Sequence, residues 1–335
     1  MPTSKVRWGL VSTANINKNL IPAIRASRRG ELVAVASRSG EKAEAYAQKW
    51  DIPRSFEGYQ TMLDSGAVDA VYVSLPNHLH AEWSIRAMKA GCHVLCEKPF
   101  AITMDQVDEM IRVSEETGCH LAEAFMYRHH PQTKLVGEMV QSGQLGEITL
   151  VRGAFDFNLP QSQRQPENLN VRLVPEWGGG CLWDVGIYPL SFVQYLFGQP
   201  PEIVFGDQWL GDTGVDETFA GQMAYGDGRM AQITASFRTP FHIFIEIIGT
   251  EGRLYVPKPF TGMSRKDKLL LHPKDGKVKK IRPPQKELYL GEVEDMHAAI
   301  LDGKPHLIQL KETRNHVRTA LALYQSAQTS EPVHL

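Results

Sequence analysis

The first 125 residues alternate short apolar runs with segments whose apolar residues recur every three or four positions. The runs over 5–12, 32–37, 68–75, 93–97 and 121–125 predict strands; the periodic stretches over 16–27, 41–50, 58–63 and 80–90 predict helices. Ile16, Leu20, Ile21 and Ile24 fall on one helical face. Gly91 suits the end of the helix over 80–90. A further helix opens at Thr103, with Gln106 three residues on as a capping partner, and stops at Gly118. The strands are almost continuously apolar, so both of their faces are covered, and strand–helix–strand repetition makes the sheet parallel. Right-handed crossovers then give a doubly wound fold whose ligands bind past the carboxyl ends of the strands. Those ends carry Ser12, Ser37, Leu75 to Asn77, and Glu97 to Pro99.

After a helix over 131–141 the pattern changes. Strands are predicted over 148–157, 203–210, 218–225, 230–237, 241–247 and 253–256, several of them alternating, with tight turns such as Gly226-Asp227-Gly228. They make one large, mostly antiparallel sheet with a helix inserted over 188–197, and helices over 289–301 and 310–326 close the chain. The fold class is α/β: a doubly wound Rossmann domain over 1–126, then an α+β domain over 127–335 that binds substrate and self-associates. A sheet of that extent needs its second face covered, which points to a homodimer or homotetramer.

Composition narrows the function classes. The chain of 335 residues is 42% hydrophobic and 22% charged, with a net charge of -2 and a pI of about 6.6. Nothing in that balance draws it to nucleic acid or to a membrane surface. No run approaches 18 apolar residues and the opening MPTSKVRWGL has no signal-peptide pattern, so a cytoplasmic location is expected. Cys92, Cys96, Cys119 and Cys181 form no C-x-x-C pair and are read as reduced, buried thiols. His78, His80, His129 and His130 lack ligand spacing, so no metal is expected. The segment 258–286 holds ten Lys or Arg against two Asp. Its Asp275-Gly276 turn predicts a solvated hairpin arm in preference to a nucleic-acid site.

The turn after the first strand reads Gly9-Leu-Val-Ser12-Thr13-Ala14-Asn15-Ile16. A dinucleotide fingerprint places glycines there so that the pyrophosphate can approach a helix N-terminus. Ser12 and Ala14 stand where the first two glycines would be, and Asn17 at the third. The second strand ends Ser37-Arg38-Ser39, with Lys42 one turn on and no carboxylate at the tip. An Asp or Glu at that point would hold the ribose of NAD; an Arg fork with serine hydroxyls suits a 2′-phosphate. The cofactor is therefore read as NADP. Lys98, in Glu97-Lys98-Pro99, falls where the nicotinamide should lie. Asp184 and Tyr188 are four apart, so a helix beginning near Asp184 would put both on one face. A capping Asp and a half-buried Tyr would give the same spacing.

At these residues the chain resembles the glucose–fructose oxidoreductase, inositol dehydrogenase and MocA family over nearly its whole length. The resemblance is carried by Trp8 to Ile16, Pro76-Asn77-x-x-His80, Glu97-Lys98-Pro99, Glu123 to Arg128, and Gly178-Gly179-Gly180 through Asp184 to Tyr188. It implies catalytic roles for Lys98, Asp184 and Tyr188. It implies a cofactor site that adds Leu75, Pro76, Asn77, His80, Glu97 and Arg128 to Ser12, Thr13, Ala14, Asn15, Ile16, Ser37, Arg38 and Lys42. Tyr127, Phe157 and Trp177 are expected near the substrate, and Arg128 has an alternative as an ion-pair partner. Tyr188 stands where the inositol dehydrogenase branch has His, which turns the expectation toward the sugar and dihydrodiol dehydrogenase branches. The implied reaction is hydride transfer between NADP and a carbohydrate-type alcohol or hemiacetal, in a cleft between two domains. Tyr188 takes the hydroxyl proton, the Lys98 charge offsetting the roughly pH 10 ionisation of a free phenol, and Asp184 holds the sugar hydroxyls or relays the proton, which leaves the choice of base between Tyr188 and Asp184 open. An aldose 1-dehydrogenase leads; a trans-dihydrodiol dehydrogenase, an NADPH-dependent sugar reductase and a non-enzymatic NADP sensor remain open.

Overall fold

The computed structural model describes residues 5–262 and 266–335. The first four residues of the opening segment, and 263–265 of the basic segment, lie outside the described residues. The chain divides into two compact units, Met1–His129 with Glu287–Arg314, and His130–Lys286 with Asn315–Leu335.

The first unit runs β1 (Val6–Val11), α1 (Asn17–Ala26), β2 (Gly30–Ser37), α2 (Gly40–Trp50), β3 (Arg54–Glu57), α3 (Tyr59–Asp64), β4 (Ala70–Val73), α4 (His80–Lys89), β5 (His93–Glu97), α5 (Met104–Thr117), β6 (Leu121–Ala124) and the short α6 (Met126–His129). Its six strands are parallel in the order β3-β2-β1-β4-β5-β6, a doubly wound sheet. Trp8, Leu10, Val35, Val71, Tyr72 and Val94 are fully buried, as strands covered on both faces require. Thr103 caps α5 as expected, its hydroxyl accepting from the Gln106 N–H at 3.3 Å.

The second unit contains α7 (Pro131–Gln141), β7 (Ile148–Asn158), α8 (Ile187–Phe197), β8 (Ile203–Leu210), β9 (Asp216–Ala224), β10 (Met230–Ser236), β11 (Arg238–Gly249), β12 (Gly252–Pro257), β13 (Leu269–Pro273) and β14 (Lys279–Ile281). Its nine-stranded sheet has the order β14-β13-β12-β11-β7-β10-β9-β8-β15, with β15 at Val333–His334. All pairings are antiparallel except β7 with β10. The hairpin of β13 and β14 is the expected basic arm.

One boundary differs from the sequence expectation, which assigns everything after 126 to the second domain. Helix α9 (Leu290–Asp302) belongs to the first unit, and α10 (Leu310–Thr329) is divided between the units at Arg314. The reason lies in packing. Trp8 of β1 donates its indole N–H to His297 Nε2 at 2.8 Å, and the Ser27 hydroxyl bonds His297 Nδ1 at 3.0 Å. Arg29 grips Asp302 at 2.8 Å. An amphipathic helix shows the same periodicity whichever sheet it covers.

Candidate active site

The turn between β1 and α1 bends at Ser12, whose φ of 121° lies in the region that favours glycine. A serine there costs about 1–3 kcal/mol unless its surroundings hold it. They do. The Ser12 N–H donates to the Ala36 carbonyl at 3.2 Å, and Asn17 Nδ2 donates to the Ser12 carbonyl at 2.9 Å. The Ser12 and Ser74 hydroxyls are 2.9 Å apart, and the Ser74 hydroxyl also donates to Asn17 Oδ1 at 2.7 Å. Ser12, Asn17 and Ser74 are all buried. Asn17 and Ser74 were not singled out by sequence reasoning. The signal for Asn17 was its place at the third glycine position, and Ser74 became a partner only once β4 lay beside β1.

Thr13, Ala14, Asn15 and Ile16 follow as a turn at least partly open to solvent. The first turn of α1 carries no acidic residue and no side-chain cap. The Asn17, Lys18 and Asn19 N–H groups turn back to the Ala14, Asn15 and Ile16 carbonyls at 2.9–3.4 Å, so what this end offers a pyrophosphate is the positive end of the helix dipole with no acidic side chain against it. At the end of β2, Arg38 is exposed and its charge acts on the Tyr59 hydroxyl. Burial raises the Tyr59 ionisation and Arg38 partly offsets that. Ser39 caps α2 through the Lys42 N–H at 3.3 Å, and Lys42 is exposed. The sequence showed no acid at this tip, but β3 brings Glu57 into register with Ser37. Its carboxylate lies beneath Gly40, at the start of α2, where the helix dipole favours it. Arg38 with the Ser39 turn suits a 2′-phosphate.

Glu97 and Lys98 stand at the tip of β5, both half-buried. The Glu97 carboxylate accepts from the buried Tyr72 hydroxyl and, at 3.2 Å, from the Lys98 N–H. Burial, then the charge of Glu97, push the Tyr72 ionisation well above its usual value, so Tyr72 is a proton donor that orients Glu97. Helix α9 adds Glu292, 1% exposed, whose carboxyl oxygens find no hydrogen-bond partner among the described residues. Burial first, then Glu97, drives its ionisation well above the ordinary range. Nothing in its local sequence marks it.

Three expected contacts take other forms. His80 is 1% exposed, and its ring nitrogens each lie 2.8 Å from a carbonyl, that of Pro99 and that of Leu75. It ties the end of β4 to the Lys98-Pro99 tip and shows no face to a cofactor. Burial holds its ionisation down at about 4, so the ring is neutral near pH 7 and donates one of those two bonds. Arg128 is 4% exposed and pairs with Glu312, the alternative left open above. Tyr127 has no exposed surface and packs edge-on against Phe125. Pro76 and Asn77 do remain partly exposed beyond β4.

In the second unit, Asp184 lies in a π-turn at Leu182–Gly186 that leads into α8, so the helix proper begins at Ile187, not near Asp184. Arg172 Nε donates to Asp184 Oδ2 at 2.6 Å, a pairing sequence reasoning did not find. Two glycines ahead of the turn are structurally required. A Cβ on Gly179 would lie 2.7 Å from the Arg172 carbonyl, and Gly180, at φ 121°, would put one against Asp216. Tyr188 is 6% exposed among aromatic rings, with centroids 5.4 Å from both Phe155 and Phe260. Phe157 lies further along β7 and meets Phe237 edge-on at 5.2 Å. Trp177 ends a 3-10 turn and is 40% exposed. Among the described residues no group of three His, Cys, Asp or Glu could hold a metal ion.

Comparison with known proteins settles the lineage. Residues 6–125 match the oxidoreductase family with an NAD-binding Rossmann fold, and 133–255 match the GFO/IDH/MocA C-terminal domain. The chain belongs to the GFO/IDH/MocA family. A D-xylose 1-dehydrogenase (NADP⁺) from Haloferax volcanii is 34% identical over 98% of this chain and 99% of that protein. A trans-1,2-dihydrobenzene-1,2-diol dehydrogenase from Danio rerio is 31% identical over 75% of this chain and 74% of that protein. A 3-ketoreductase from Actinomadura kijaniata, solved with NADP and TDP-benzene, superposes with a TM-score of 0.89. It is 28% identical, and the match covers 96% of this chain and 98% of that one. The first unit is thus an NADP-binding Rossmann domain, and the protein is an NADP-dependent oxidoreductase acting on CH–OH groups rather than a sensor. No helix among the described residues is long and apolar enough to cross a membrane.

Proposed function

We propose that this family member is an aldose 1-dehydrogenase, oxidising the anomeric hydroxyl of a sugar such as D-xylose or D-glucose. The observation that carries the reading is end-to-end similarity to the xylose enzyme, against three-quarters coverage of the dihydrodiol dehydrogenase. The bound nicotinamide supplies the hydride acceptor, so no metal is needed. Residues at the tips of β1, β2 and β5 hold the nucleotide, with Arg38 at the 2′-phosphate and the first turn of α1 at the pyrophosphate. Tyr188 accepts the hydroxyl proton and the Lys98 ammonium makes that transfer easier. Asp184, steadied by Arg172, holds a neighbouring sugar hydroxyl. Phe155, beside Tyr188 and partly exposed, offers the apolar face that a pyranose C–H surface takes, with the buried Phe260 packed behind them.

Reduction of a keto-sugar and oxidation of a dihydrodiol would use the same groups, and relatives with each activity favour keeping both as a second reading. Nicotinamide absorbance recorded against aldoses, polyols and dihydrodiols with NADP⁺, and against keto-sugars with NADPH, separates the cases. Turnover highest with an aldose supports the assignment. Turnover confined to dihydrodiols or keto-sugars moves it.

The reading includes self-association through the outer face of the nine-stranded sheet. Phe205 and Trp209 alternate on one face of β8, and the pairing register puts Met230 of β10 on that same face. They are 43%, 46% and 45% exposed. A second copy would cover them, and light scattering at micromolar concentration reads the result. All four cysteines are free and buried, which supports a reducing, cytoplasmic setting.

A further inference from the structure

Asp216 opens β9, far in sequence from the motif at 178–188, and is 3% exposed. Its carboxylate is nevertheless the fixed point on which that motif folds. Oδ2 accepts from the Leu182 N–H at 2.8 Å and from the Cys181 thiol at 3.1 Å. Oδ1 accepts from the Tyr324 hydroxyl of α10 at 2.8 Å. Gly180 is pressed so close to Oδ1 that no side chain fits there. A carboxylate that receives the first N–H of a helical turn fixes where that turn begins. Here the turn is the π-turn holding Asp184, and Tyr188 follows in the first turn of α8. Turns of this kind are rare and collect at functional sites.

We propose that Asp216 is a positioning residue: its ionised carboxylate sets the start of the π-turn, and its protonation loosens the turn that presents Asp184 and Tyr188. This rests on the roles proposed above for those two residues. The physical reason is a count of donors. The Leu182 N–H can only donate, and the phenol and thiol donate to an ionised carboxylate as well, the thiol's single hydrogen having the Ala235 carbonyl at 3.2 Å as its other acceptor. A protonated carboxyl carries its own O–H, so the phenol or the thiol must turn its hydrogen away and accept instead, and one of the bonds that hold the turn is lost. Among the described residues, none of the groups that act on this carboxylate is a cation that would offset the burial. Around this carboxylate stand the Cys181 thiol, with the Ala235 carbonyl of β10 behind it, and the Tyr324 phenol. Asp184 and Asp156 also act on that thiol. The nearby Arg164 is taken by Glu217. Burial accordingly lifts the Asp216 ionisation to about 6, within the range where an enzyme works.

The test is the acid limb of kcat. Wild-type turnover should fall as pH drops through about 6. Tyr324→Phe removes a donor from the ionised form, so its limb should move to higher pH. Cys181→Ser replaces a weak donor with a stronger one, so its limb should move to lower pH. Limb position does not depend on how much enzyme is folded, which protects the comparison from partial instability. Asp216→Asn should lose the limb and about tenfold or more in kcat at every pH, with affinity for NADP within about twofold of wild type. Near-UV circular dichroism of the uncomplexed protein adds a readout without turnover: a transition near pH 6 in wild type, none in Asp216→Asn. Limbs that coincide in wild type, Tyr324→Phe and Cys181→Ser would overturn the proposal. Full turnover in Tyr188→Phe would instead overturn the assignment of Tyr188, whatever Asp216 does.

Discussion

Replacing Asn17 by Ala tests how the cofactor turn is held without the usual glycines. Asn17 is completely buried and joins two segments, donating to the Ser12 carbonyl at 2.9 Å and accepting from the Ser74 hydroxyl at 2.7 Å. Each bond contributes about 0.5–1.5 kcal/mol net, and a buried group left without a partner costs about 1–3 kcal/mol. Together these predict a loss of roughly 2–4 kcal/mol in urea unfolding. A second effect follows from the Ser12 φ of 121°. That conformation holds about 1–3 kcal/mol of strain, which the network maintains. Once the carbonyl is released the turn relaxes, and the nucleotide must restore it on binding. If 1–2 kcal/mol of the strain is recovered, NADPH affinity falls about 5–30-fold, read by cofactor fluorescence on protein that is folded without denaturant. An Asn17→Ala protein within about 0.5 kcal/mol of wild type and equal in NADPH affinity would refute the reasoning.

Three further outcomes are expected. Arg38→Ala should weaken NADP binding far more than NAD binding, since only the former has a phosphate for the guanidinium; equal losses in paired titrations would remove Arg38 from that contact. His80→Ala should cost about 1–3 kcal/mol in stability by removing the ring N–H from whichever of the Leu75 and Pro99 carbonyls it serves, and should lower kcat through the Lys98 tip. Glu292→Gln should raise the melting temperature at pH 7. A buried acid whose ionisation is raised on folding contributes stability that is complete below the ordinary carboxyl range and declines as pH rises through its folded value. The gain from glutamine should therefore shrink toward pH 4, and a gap independent of pH would contradict a neutral Glu292.

What could be read in the sequence follows from which interactions are local. The strands β1, β2, β4, β5 and β6 were legible because covered strands must be apolar throughout. Strand β3, with the sequence Arg-Ser-Phe-Glu, is largely exposed at a sheet edge, so it carries no such signal. Strand β14, Lys-Lys-Ile, was hidden by its lysines, whereas β13, Leu-Leu-Leu-His-Pro, has buried leucines and was overlooked inside a segment read as a solvated arm. The parallel pairing of β10 with β7 depends on order in space, which alternation does not encode. The candidate site divides in the same way. Ser12, Arg38, Lys98, Asp184 and Tyr188 stand in motifs and could be named in advance. Ser74, Arg172, Asp216 and Glu292 act across 12 to 195 positions of sequence or more, and only the fold brings them to their partners. His80 shows the limit of a motif. Its spacing suggested a cofactor contact, whereas its side chain is spent on two strand tips.

The central claim is direct hydride transfer from a sugar CH–OH carbon to NADP⁺, assisted by Tyr188 and Lys98. Supplying an aldose deuterated at C1 and analysing the nicotinamide product by mass spectrometry tests it most directly. The account predicts one deuterium in each NADPH formed, and a rate roughly 10²–10⁴-fold lower in Tyr188→Phe and in Lys98→Met. Product NADPH free of deuterium, or both variants turning over at the wild-type rate, would contradict it.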